Sequence, residues 1–188
     1  MSGDYQVRGM IVIYSFTFLF GVIFGPLLAH LRGWTPATIF FAAAAVYGVF
    51  GVTSLVKSQI VLSQIPQKEH VFHDAYYIVS HGNYIVSIGI MMAVFGGVTW
   101  VQTLYGAMKY PNQTKILFWV FHIAGMGTNL SQGSLSFLLT KPRRYIDYTA
   151  FAETYLFINT WSAVISQAAL MSLLGLLLWS IMAKWLGR

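Results

Sequence analysis

The chain has 188 residues, 57% of them hydrophobic and 9% charged, with a formal net charge of +6 and no cysteine. Soluble domains carry about 25% charged residues, so this composition speaks against an ordinary globular domain and for a membrane protein. The missing cysteines exclude disulfides, zinc–thiolate sites and iron–sulfur clusters. The eleven Lys and Arg are scattered through short loops with no basic run, which fits a membrane boundary and not a nucleic-acid partner.

A helix needs about 20 apolar residues to cross about 30 Å of hydrocarbon. The opening "MSGDYQVRG" does not read as a signal peptide, because the apolar run Met10–Leu31 exceeds an h-region of about 7–15 residues. It is the first expected span. Within it "GVIFG" sets Gly21 and Gly25 at GxxxG spacing, a pattern for close helix packing. "RGWTP" follows, and Pro36 falls early in the second span, Pro36–Val56, where a missing N–H costs little. "SQIPQKEH" leads to the third span, Ala75–Tyr105. "KYPNQT" separates it from the fourth, Lys115–Leu139, and "TKPRRYIDY" separates that from the fifth, Tyr155–Leu186. The third and fifth are long enough to tilt or to project beyond the bilayer. No run alternates with period two, so the spans are helices and not barrel strands. The expected fold is all-α, one transmembrane domain of five helices over residues 1–188, surrounded by membrane lipid.

With five spans, Arg8, Lys57, Lys68, Lys141, Arg143 and Arg144 lie on one side of the membrane. Arg32, Lys109, Lys115, Lys184 and Arg188 lie on the other. Six against five does not orient the chain. All the acids, Asp4, Glu69, Asp74, Asp147 and Glu153, fall on the first side. If Arg143 and Arg144 serve a ligand, the remaining basic residues lean to the second side as cytoplasmic. On that topology "NQT" at Asn112 is cytoplasmic and is set aside as a glycosylation acceptor.

The chemistry-bearing residues gather at the head of the third span. His81 sits inside it, where a polar ring is costly and faces a bundle interior or a cofactor. A packed histidine bonded to a neighbouring helix is the competing reading. Tyr77 lies one turn before His81 and Asp74 two turns before, so the three share a face. "EHVFHD" places Glu69, His70, His73 and Asp74 within two turns, and histidines three apart can bind a metal. Interfacial contact with water and headgroups explains them equally well. His122, within the fourth span, reads as an interhelical hydrogen bonder, and His30, at a span end, as interfacial. Arg143 and Arg144 in "KPRRYIDY" would by default snorkel to headgroups. A guanidinium pair also binds carboxylates bidentately, and these two share a membrane side with His73 and Asp74.

"FHDAYYIVSHGNYIVSIGIMMAVFGG" resembles the tenth transmembrane helix of subunit I of the haem–copper oxidases, which include cytochrome c oxidase. "KPRRYIDY" resembles the loop between helices eleven and twelve, and "LFINTWSAVISQAALM" the start of helix twelve. The resemblance runs from about Val52 to Leu178, making the chain similar to the C-terminal half, helices eight to twelve. It implies that His81 is the proximal ligand of a high-spin haem. It also implies that His73 and Asp74 lie near the haem propionates and a magnesium or water cluster, that Tyr77 lies on the same cofactor-binding face, and that Arg143 and Arg144 bind the propionates. The family's groups of this kind lie on the outer face, which puts the N-terminus outside and the C-terminus inside a respiratory membrane, whether plasma or inner mitochondrial.

Three departures qualify the resemblance. The family's second histidine, which ligates the low-spin haem, is here Asn83, and an amide is a poor ligand for haem iron. Ile23 stands where many members carry a proton-channel lysine. Helices one to seven, which in the family supply the copper ligands, have no counterpart, so the chain binds no copper and cannot reduce oxygen alone. The expectation is a half-length subunit I-like component of an oxidase complex, working with other oxidase subunits and with a chain that supplies those helices. A non-catalytic structural or assembly subunit without haem is the second reading. A small transporter with His73, Asp74 and His81 along a polar path is the third.

Overall fold

The computed structural model describes residues 17, 18, 20–64, 72–133 and 145–187; within these, the side chains of 57–64, 72–82, 129–133, 145–152, 154 and 155 lie outside the description. The described residues form five helices and no strand. We label them α1 (Phe20–Leu31), α2 (Pro36–Gln64), α3 (Phe72–Leu104), α4 (Pro111–Gly133) and α5 (Tyr145–Trp185). They fall into two compact units, Met1–Leu104 and Tyr105–Arg188.

Three segments are long and apolar enough to cross a membrane: Pro36–Val56 in α2, Asn83–Leu104 in α3 and Leu156–Trp185 in α5. The first coincides with the second expected span. Only 28%, 33% and 22% of these windows are buried, which leaves most of each surface for lipid or for other protein. α1 is a shorter apolar helix. α4 departs from expectation. It begins at Pro111 rather than Lys115, and among the described residues it does not reach the hydropathy of a spanning segment. Asn112, Gln113 and Lys115 at its start, and Thr128, Asn129 and Gln132 near its end, dilute the apolar run. α5 has 41 residues, about 60 Å of helix, twice the hydrocarbon thickness.

In the first unit, α1 stops in a Schellman motif. Gly33 takes φ +69°, its N–H donates to the His30 carbonyl at 3.0 Å, and the Trp34 N–H reaches back to Ala29 at 3.2 Å. Only a residue without Cβ adopts that φ cheaply. The Arg32 guanidinium sits 5.8 Å from the centre of the Trp34 ring, anchoring the turn by cation–π attraction. α2 starts immediately after. Thr35 caps it with its carbonyl, which accepts from Thr38 and Ile39, and its hydroxyl shares a 2.8 Å hydrogen bond with the Thr38 hydroxyl.

α1 packs on α2 through the GxxxG pair. A Cβ on Gly21 would stand 3.4 Å from Val46 Cγ1, and one on Gly25 would stand 3.2 Å from Val46 Cγ2. α2 and α3 pack closer still. Gly51 lies against Val86, Gly89 against Tyr47 and Gly48, and Gly96 against Phe41. As α3 descends, α2 ascends, so the two are antiparallel. Ile39, Phe40, Ala43 and Tyr47 bury their side chains, as do Ile88, Met92 and Phe95. Hydroxyls inside these helices donate to carbonyls one turn back, as Thr99 does to Phe95 at 2.9 Å and Thr103 to Thr99 at 2.7 Å. That is how an apolar environment tolerates them.

In the second unit, α4 and α5 are also antiparallel. Gly127 lies against Ser162 and Gly125 is nearest Ser166, so rising numbers on one helix meet falling numbers on the other. Phe118, Phe121, His122 and Ala124 form the buried side of α4, and Ala169, Leu173, Leu177 and Ala183 form that of α5. Along α5, with the buried Ser180 between Leu177 and Ala183, these recur every three or four residues, one helical stripe.

Candidate functional site: the head of α3

His73, Asp74, Tyr77 and His81 all fall in the first three turns of α3, so one continuous helix carries them. Asp74 and His81 are seven residues apart, about 10 Å along the axis. Glu69 and His70 of the same motif, and Arg143 and Arg144, lie outside the described residues, as do the side chains of His73, Asp74, Tyr77 and His81. What the backbone fixes is which side of α3 each position occupies.

An α-helix turns about 100° per residue. Position 81 therefore precedes Ile88, Met92 and Thr99 by seven, eleven and eighteen residues, each within about 20° of whole turns. Those three are the buried stripe of α3: Met92 and Thr99 are fully enclosed and Ile88 nearly so. Positions 74, 77 and 81 continue this stripe toward the N-terminus. Asn83 sits about 200° further round than 81. It precedes Ile90, Val94 and Val101 by the same seven, eleven and eighteen residues. These are 61%, 60% and 45% exposed, and Asn83 is exposed with them. Ser87, also exposed, donates its hydroxyl to the Asn83 carbonyl at 2.8 Å.

The α2–α3 register adds depth. The pairs Gly96–Phe41, Gly89–Gly48 and Gly51–Val86 set the pace, and its continuation puts position 81 level with Val56. Val56 ends the apolar segment of α2. The head of α3 thus carries its ionisable residues at the boundary end of the span. Position 81 stands in line with that buried stripe. Among the described residues no cluster of three or more His, Cys, Asp or Glu could hold a metal ion.

The other histidines part from this site. His122 is 1% exposed in α4, stacked on Phe118 with ring centres 5.1 Å apart and edge-on to Trp119 at 5.7 Å. Aromatic packing surrounds it. His30 is half-buried at the end of α1, where its carbonyl serves the Schellman turn. Ile23 is exposed on α1. The sequence did not reveal that 81 and 83 head opposite stripes of different burial. The signal was present in their two-residue offset, but which stripe is buried needed the packing.

The fold and the boundary-level polar motif define an integral membrane protein of the helical-bundle class. Compared with characterised proteins, the chain is 32% identical over 139 residues to cytochrome c oxidase subunit 1 of Cereibacter sphaeroides, covering 72% of this chain and 23% of that one. It is 32% identical over 136 residues to the subunit 1 of Albinaria turrita, covering 72% and 63%. It is 29% identical over 153 residues to that of Eremothecium gossypii, covering 80% and 26%. The chain belongs to the haem–copper oxidase subunit I family. It spans about a quarter of the length of the first and third of these relatives. No family model and no solved structure matches it.

Proposed function

We propose that the chain is a half-length subunit I-like component of a haem–copper oxidase or related respiratory membrane complex. In this reading His81 would hold the iron of one high-spin haem, and the low-spin haem would not be held by this chain. His73, Asp74 and Tyr77 extend the same stripe toward the membrane boundary, where Arg143 and Arg144 would pair with propionates and magnesium would sit near His73 and Asp74. A partner chain supplies helices one to seven and any copper. The N-terminus lies outside and the C-terminus inside the membrane. The observation that carries the proposal is the placement of position 81 on the continuation of the buried stripe Ile88–Met92–Thr99, with position 83 on the exposed one.

When bound, haem supplies an iron that takes an imidazole nitrogen as ligand. The rest is what the chain does: His81 offers the nitrogen, the buried stripe excludes water, and the arginines neutralise carboxylates. The test is the Soret band of the complex purified through this chain. Its loss in His81→Ala, with the complex still assembled, supports the reading. A haem-replete complex with an unchanged spectrum sinks it.

The second reading, a structural or assembly subunit without haem, is favoured by Asn83 and by Ile23, which stands exposed where many family members carry a proton-channel lysine. It expects no iron–histidine stretching band dependent on His81.

A further inference from the structure

The three spanning segments contain two glutamines, Gln102 in α3 and Gln167 in α5. Gln102 is buried, whereas Gln167 is exposed. Gln167 stands about 5 Å along the axis from the middle of Leu156–Trp185, deep in the hydrocarbon that this segment crosses. Exposed hydroxyls elsewhere in the spans turn back on their own helix: Thr53 donates to the Val49 carbonyl at 2.9 Å, and Ser87 to the Asn83 carbonyl at 2.8 Å. A side-chain amide carries two N–H donors and an acceptor oxygen. Lipid tails pair with none of them, so an amide facing lipid at this depth is costly.

The face that carries Gln167 has a regular spacing. Thr160, Val164, Gln167, Met171, Leu174 and Leu178 follow one another by four and three residues in turn, and every one of them is exposed. That is the seven-residue repeat of a left-handed helix pair, a seam whose register a single polar position can set. It lies about 140° round α5 from the buried stripe Ala169–Leu173–Leu177. One repeat before Thr160 stands Glu153, exposed and outside the apolar segment, and there the seam ends.

Copies of one sequence insert with one topology, so their α5 helices run parallel. A twofold axis along the membrane normal then sets every seam residue level with its own counterpart. A primary amide is complementary to itself in that arrangement, because the oxygen of each accepts from the N–H of the other. We propose that this seam of α5 is the interface of a parallel homodimer, in which Gln167 of each copy hydrogen-bonds Gln167 of the other inside the bilayer. Val164 and Met171 pack on either side of the amide pair, and Leu174 and Leu178 continue the contact. The interface rests on α5 alone and stands whether or not His81 holds haem.

The chain has no cysteine, so one introduced cysteine reports one position. Single-cysteine variants of the full chain are oxidised in the membranes that contain the assembled complex, and the products are sized by non-reducing electrophoresis. A disulfide needs Cα atoms within about 7 Å. Val164→Cys and Met171→Cys are expected to give a dimer of twice the chain's mass. Ser172→Cys, exposed but about 100° further round than Met171, is expected to stay monomeric. Sedimentation equilibrium of the chain in mild detergent measures the amide pair. Gln167→Leu should raise the dimer Kd about tenfold, and Gln167→Asn, which keeps an amide, should hold it within about threefold. Circular dichroism of each variant checks the fold, and if Gln167→Leu unfolds, the cysteine pattern decides. The proposal is overturned by absence of the seam dimers, by an equal dimer from Ser172→Cys, by seam cysteines that cross-link only to another subunit, or by a Kd unmoved in Gln167→Leu.

Discussion

Gly51 of α2 lies directly against the backbone of Val86 in α3. A Cβ on Gly51 would come within 2.8 Å of the Val86 amide nitrogen and 2.6 Å of its Cγ2. This contact fixes how α3 is rotated against α2. The rotation in turn decides that Ile88, Met92 and Thr99 face inward and that Asn83, Ile90 and Val94 do not. Which stripe of α3 is buried therefore rests on a glycine in another helix.

Gly51→Ala should consequently destabilise the first unit, because backbone and not a flexible side-chain tip must move. The expected cost is about 1–3 kcal/mol. Gly48→Ala is the control, since nothing lies within 4 Å of its Cβ position, and it should be close to neutral. Unfolding in mixed detergent micelles, followed by circular dichroism, compares the two. Equal midpoints would show that the helices do not approach this closely.

Asn83→Ala should leave stability within about 0.5 kcal/mol, because the side chain is exposed. The Ser87 hydroxyl bonds the Asn83 carbonyl, which the substitution keeps. The absorption spectrum of the purified complex should also be unchanged, in contrast with His81→Ala. A spectrum altered by Asn83→Ala alone would place the cofactor on the exposed stripe instead.

Gly127 and Ser162 form the corresponding close approach in the second unit. A Cβ on Gly127 would collide with the Ser162 hydroxyl and stand 3.0 Å from its Cβ. Gly127→Ala should cost about 1–3 kcal/mol. Ser162→Ala, nearly neutral by itself, should recover part of that loss in the double variant. The coupling is read from a double-mutant cycle of unfolding midpoints. Additive single effects would rule out direct contact.

Ser180 is 1% exposed in α5, and its hydroxyl has no hydrogen-bond partner among the described residues. An unsatisfied buried hydroxyl costs about 1–3 kcal/mol, so Ser180→Ala should raise stability by about 1 kcal/mol. A loss of that size in thermal unfolding would reveal a partner that the hydroxyl serves.

Much was legible in the sequence. Few charges and long apolar runs gave a helical membrane protein, because lipid offers no partner for an unpaired backbone group. The second helix begins at Pro36, where the sequence starts its second span, since Thr35–Pro36 is a strong helix start, and it runs on to Gln64. The GxxxG pair was found against Val46, where the absence of two side chains lets helices touch. The fourth span was legible only as an apolar stretch. Its helix starts four residues earlier because Pro111, with its N–H missing, is a natural first residue and Tyr110 supplies the capping carbonyl, accepting from Thr114 at 3.0 Å.

The sequence by itself thus determined the membrane class, the family motifs and the placing of His73, Asp74, Tyr77 and His81 on one helix. Only the tertiary structure decided which side of that helix is inside. In water an amphipathic pattern would have declared the buried face. In a bilayer Ile90 and Val94 on the exposed stripe are as apolar as Ile88 and Met92 on the buried one, because hydrocarbon and protein interior make nearly the same demand on a side chain. What separates them is the close fit of Gly51, Gly89 and Gly96 against the neighbouring helix, and a fit of shapes is not written in hydropathy.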